Sequence, residues 1–173
     1  MSGVIEYAVK MREFPQATLF DVMLERGELG PEHIDALALK VAAFHQGAEW
    51  AGPQQRYGSA ASIEAPMRQN FAQLGALLES AAERAELAQI EAWNLSEHEA
   101  LVPLFAERLR FGLIRECHGD LYVGNIALVN GEVQIFDCIE FRPNLRWIDV
   151  ANEIAFFVMD LEERGHPRLA YVF

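Results

Sequence analysis

The side chains of this sequence whose types and spacing suit chemistry are His118, Asp120, Asn125 and Asp137. All four fall in one stretch, Cys117 to Phe141. Hard oxygen donors such as Asn and Asp hold divalent cations. A carboxylate beside them can orient a hydroxyl and accept its proton. Phosphoryl transfer requires this set: a base for the attacking hydroxyl, and an amide and a carboxylate for the ions that neutralise the phosphates.

The elements around them give the set a common location. Asn130-Gly131 separates two runs rich in Val and Ile, a strong hairpin signal. Paired antiparallel strands are expected at Ile126–Val129 and Val133–Phe136. Asn125 then begins one strand and Asp137 follows the other, so both lie at the open end. Asp120 sits on the loop leading in, and the three groups are expected at one mouth.

His118-Gly119-Asp120, then Asn125, then Asp137 beyond a hairpin, follows the order of the kinase catalytic loop and its metal-binding Asp. The stretch resembles the aminoglycoside phosphotransferase family within the kinase-like fold, whose loop reads His-Gly-Asp-Leu-His-x-x-Asn. Gly119 stands where protein kinases have Arg, as in that family, and Tyr122 stands where the family usually has a second His. The runs Phe136–Phe141, Arg146–Asp149 and Phe156–Leu161 are similar to a bacterial branch of it whose members can carry a second, P-loop ATPase domain. No Gly-x-x-x-x-Gly-Lys-[Ser/Thr] run occurs in this sequence. The resemblance implies ATP as donor, a small-molecule hydroxyl acceptor, Asp120 as base, and Mg2+ on Asn125 and Asp137. It also implies nucleotide contacts at Met11, Arg12 and Ala127, and a structural brace at Asp149.

The N-terminal stretch fits the same frame. Val4–Met11 reads as a strand, the last of a small lobe, with Met11–Pro15 as the hinge rather than Lys10 as a phosphate-gripping lysine. The expected division is 1–15 for strand and hinge and 16–173 for a helical large lobe. The fold class is α+β, mainly α, with a small catalytic hairpin. On this reading the phosphate-gripping lysine and Gly-rich loop would lie upstream, and the chain is a large-lobe fragment with negligible turnover of its own. An unpaired strand at 4–11 would invite self-association.

Helical spacing is expected over 16–27, from Pro31 to Gly47, and around Phe71, Leu74, Leu77 and Leu78, with the alanine-rich run to Trp93 continuing it. A loop is expected at 48–62 and a break at Asn94–Glu97, with Ser96 and Glu99 as the capping box of a new helix ending at Gly112. Asp149 is expected to cap a helix reaching Gly165, with Pro167 opening another. His45 reads as a packed or capping histidine without chemistry. Cys117 and Cys138 lack metal spacing and read as small buried apolar side chains. Glu140 reads as a solvated acid or as a further ligand to metal or substrate.

Composition bounds the alternatives. Hydrophobic residues make up 51% and charged ones 23%, a globular mixture. A formal charge of -12 argues against nucleic acid as partner. No apolar run has membrane-spanning length and no signal-peptide pattern opens the chain, so no membrane partner and a cytoplasmic location are expected. Two other functions compete: a non-catalytic binding lobe, and a metal-dependent hydrolase using the same acids, with only Glu140 and His118 as extra ligands.

Overall fold

A computed structural model describes residues 13–52 and 56–173. The expected strand at 4–11 and the hinge residues Met11 and Arg12 lie outside them. The described chain is mainly helical. A 3-10 turn (Gln16–Thr18) leads to α1 (Phe20–Glu25), α2 (Pro31–Gly47), α3 (Ala60–Leu77) and α4 (Ala81–Arg110). Then come β1 (Ile114–Glu116), β2 (Ile126–Val129), β3 (Glu132–Ile135), α5 (Pro143–Arg146), β4 (Trp147–Asp149), α6 (Val150–Glu163) and α7 (Pro167–Val172).

The hairpin forms where its turn directs. Asn130 and Gly131 have φ of 53° and 81°, the left-handed pair of a tight hairpin turn. Ile126 pairs with Ile135 and Val129 with Glu132. The second strand thus begins and ends one residue earlier than the apolar pattern suggested. One edge of the hairpin is bridged, with Ala127 paired to Leu19. Its apolar side chains enter a core built from α1, α2, α6 and α7. Phe20, Ile34, Leu37, Val123, Ile126, Phe157 and Leu161 pack there, nearly or wholly buried. Burying each such side chain contributes about 1.5–3 kcal/mol.

A second sheet was not legible. β1 and β4 pair antiparallel, Ile114 with Asp149 and Glu116 with Trp147. The segment before α3 lies on the free edge of β1, with Ala51 N and Glu116 N donating to Ile114 O and Glu49 O at 2.8 Å each. Strands of three residues carry no readable alternation, so neither strand shows in the sequence.

The long helices depart from expectation too. α3 begins at Ala60, so the expected loop ends earlier; the Ser59 side chain caps the helix by accepting from Ser62 N. The helical run expected to continue to Trp93 is interrupted between Leu77 and Ala81, where Ser80 and Glu83 form the capping box that operates, and α4 is then continuous through Asn94–Glu97. Asn and Ser disfavour a helix interior by only about 0.7 kcal/mol or less each. Packing against α3 outweighs that, and His98 adds a tie by donating from Nε2 to Ala60 O at 2.9 Å. Pro31 opens α2, Asp149 caps α6 by accepting from Ala151 N at 2.8 Å, and Pro167 opens α7, all as expected.

The root of α3 rests on a close approach. Gly58 has φ of 71°, and a Cβ there would overlap Ile114 Cγ1, whose side chain is buried. Gly58→Ala is expected to lower stability by about 1–3 kcal/mol, from left-handed backbone plus overlap. Urea unfolding of the two proteins measures it. An unchanged midpoint would contradict this packing.

Candidate functional site

The loop from Cys117 to Asn125 is held from several sides. His118 is buried and shares two hydrogen bonds. Its Nε2 lies 2.8 Å from Phe136 O, and its Nδ1 accepts from Asp120 N at 3.3 Å. Only a neutral ring protonated on Nε2 satisfies both. The imidazole thereby joins the backbone of Asp120 to the end of β3, one residue before Asp137.

Asn125 is 4% exposed. Its amide group donates from Nδ2 to Asp120 O at 3.0 Å and to Asp120 Oδ2 at 3.1 Å. Both amide hydrogens are thus spent on Asp120, and Oδ1 is left to act as an acceptor. Asp120 is half-buried, keeps its other carboxylate oxygen, and lines a cavity of ≈ 530 Å³ with Tyr122, Phe156, Met159, Asp160 and Glu163.

Asp137 is exposed and has φ of 62°, in the left-handed region where Asp is enriched among non-glycine residues. Backbone bonds on either side fasten it to the loop: Phe136 N donates to Asn125 O at 3.1 Å and Ile139 N to His118 O at 3.0 Å. Arg146 holds the next turn, donating from Nη1 to Glu140 O at 3.0 Å and from Nε to Glu116 Oε1 at 2.8 Å. Glu140 itself is exposed. Ala127 is fully buried in β2 against Leu19, so its side chain has no surface open to a ligand. The oxygen donors of Asn125, Asp120 and Asp137 are of the hard type that suits Mg2+.

The support behind the loop was missed. Glu153 of α6 is 2% exposed. Its Oε1 accepts from Gly119 N at 2.7 Å, and its Oε2 lies 2.6 Å from His45 Nε2 at the end of α2. Gly119 has φ of 85°, and a Cβ there would lie 2.7 Å from Leu145 O, so no other residue fits. His45 therefore positions the loop through Glu153 rather than merely packing. One signal was present in sequence: Glu153, Phe157 and Leu161 form one buried stripe of α6, and a carboxylate on such a stripe needs partners.

Cys117 is buried beside this pair, its thiol 3.7 Å from Ile148 O. Burial, and then the Glu153 and Asp149 carboxylates, push the thiol well above its ordinary range, so it stays protonated and inert. Cys138 is exposed, which corrects the expectation of two buried cysteines: it lies in the loop past β3, not on a strand. Asp149 also braces the region, receiving Nε and Nη2 of Arg108 at 2.5 and 2.6 Å.

No family model matches the chain. Uncharacterized proteins of Mycobacterium tuberculosis and Mycobacterium bovis are 30% identical to it over 171 residues, which is 99% of this chain and 34% of theirs. The chain thus spans about a third of the length of these curated relatives. Among solved structures, a glucosamine kinase (crystal form B) is similar at a TM-score of 0.48 and 20% identity, over 86% of this chain and 38% of that one. The glucosamine kinase in complex with glucosamine, ADP and inorganic phosphate gives 0.45 at 20% identity, over 86% and 38%.

Removing Glu153 strands both of its partners. Glu153→Ala is expected to destabilise by about 3–5 kcal/mol, the range for breaking a buried pair from one side. Glu153→Gln retains an acceptor for Gly119 N and a group for His45, and should lose clearly less. Urea unfolding of the three proteins checks this. Equal stability of the Ala variant and the parent would contradict the brace.

Proposed function

We propose that this chain carries the catalytic half of an ATP-dependent phosphotransferase acting on a small-molecule hydroxyl, in a kinase-like large lobe. The observation that carries the reading is the Asp120–Asn125 contact: one amide holds the loop carbonyl and a carboxylate oxygen of the same Asp. A carboxylate fixed in that way, on a residue that lines a cavity, is a base with a set direction. The acceptor would enter the cavity beside Tyr122 and Phe156.

In the proposed step the acceptor oxygen attacks the terminal phosphorus of ATP. Its proton passes to Asp120, the new oxygen–phosphorus bond forms, and the bond to the bridging oxygen breaks to release ADP. Asn125 Oδ1 and the Asp137 carboxylate would hold Mg2+, which when bound neutralises phosphate charge. Asp120 keeps its orientation through Asn125 and through the His118 imidazole. Met11 and Arg12 are proposed to contact the nucleotide, with buried Ala127 as backing rather than contact. The cytoplasm, where ATP is at hand, is the proposed setting, with neither nucleic acid nor membrane as a partner.

ATP turnover with Mg2+ and a panel of hydroxyl-bearing acceptors tests the reading, in a protein that carries this segment within its full length. Asp120→Asn should lower turnover by about 10²–10⁴-fold, the usual contribution of a positioned base. The urea midpoint should stay close to that of the parent, because Asn retains an oxygen for Asn125. Turnover that is unaffected by Asp120→Asn, or absent with intact protein across the panel, would overturn it.

A further inference from the structure

A second cavity, ≈ 670 Å³, opens between α3, the end of α4 and the stretch α5–β4–α6. Its volume lies in the range of small-molecule sites, about 300–1,000 Å³. Its walls are mostly apolar: Ile63 and Met67 from α3, Leu104 and Phe105 from α4, and Leu145 with Trp147 opposite. Trp147 stacks on Tyr57, ring centroids 5.5 Å apart and planes within 12°, which gives one wall a flat aromatic surface.

Charge decides what this cavity suits. The charged side chains among its described lining residues are Arg108 and Asp149. They satisfy one another through two parallel bonds, and Asp149 also caps α6. An anionic nucleotide would find no unpaired cation there, and a polycation no unpaired acid. The cavity beside Asp120 differs, since Asp120 and Glu163 line it together with Asp160, whose own oxygens are taken by Val123 N and Arg164 Nε. Amides of Asn70 and Asn144 add uncharged donors and acceptors to the second cavity.

The second cavity also reaches the loop. Gly119 lines it, and the Leu145 carbonyl on the same wall occupies the space that a Gly119 side chain would need. We propose that this cavity binds an uncharged, amphipathic small molecule with a flat apolar body, separately from the Asp120 cavity. The occupant bears on the backbone that Glu153 holds from behind, so binding steadies the loop that carries Asp120. The binding stands whether or not the Asp120 site transfers phosphate.

The neutral fluorophore N-phenyl-1-naphthylamine is the probe, excited directly in a titration of the intact chain. Saturable binding at one probe per chain is expected. Met67→Trp, at a half-buried position, and Leu104→Trp, at an exposed one, should each weaken it by about ten-fold or more by filling the cavity. Phe156→Trp, which fills the Asp120 cavity instead, should leave it unchanged. Hydrogen exchange on the unaltered protein needs no variant: saturating probe should slow exchange at 117–120 and 144–152. Absence of saturable binding, or loss on Phe156→Trp alone, would overturn the proposal. So would protection confined to 156–163.

Discussion

The arrangement depends on one buried carboxylate. Glu153 sits on the apolar face of α6, where an unpartnered charge would be costly. Its two oxygens are divided between His45 at the end of α2 and the backbone N–H of Gly119. That division joins two helices of the core to the start of the loop bearing Asp120. The left-handed Gly119, closed off by the Leu145 carbonyl, leaves the loop little freedom on the opposite side. The polar groups that face solvent are therefore aimed by groups that do not.

His118 works the same way from the hairpin side. A neutral ring with one donor and one acceptor nitrogen fixes the spacing between Asp120 and the end of β3. Asn125 then fixes the side chain of Asp120 directly. Each tie is an ordinary hydrogen bond, worth about 0.5–1.5 kcal/mol net. Their joint effect is directional: rigid placement matters more than stability where a reaction depends on positioning.

What could be read beforehand followed the range of the interactions. Asn130-Gly131 sets its turn by local backbone preference, so the hairpin was legible to within a residue. The Asp149 cap and the Pro31 and Pro167 helix starts are local for the same reason. The His45–Glu153 contact spans a separation of 108 residues, and Gly119–Glu153 one of 34. Nothing local marks either partner except an acid on an apolar stripe. The β1–β4 pairing is short and non-local, so it left no pattern. The continuity of α4 is not legible because Asn94 and Ser96 resemble a cap in sequence, while the cap that operates lies at Ser80.

The central claim is that the ties converge on one oxygen-rich site built by Asp120, Asn125 and Asp137. Paramagnetic Mn2+ in place of Mg2+, titrated together with ATP into isotopically labelled protein, tests it by NMR line broadening. The account predicts that the backbone amide signals of Asp120, Asn125 and residues 136–139 broaden first, and that Asp137→Asn raises the Mn2+ concentration required. Broadening centred on His45, Cys117 and Glu153, or spread evenly over surface acids, would contradict it.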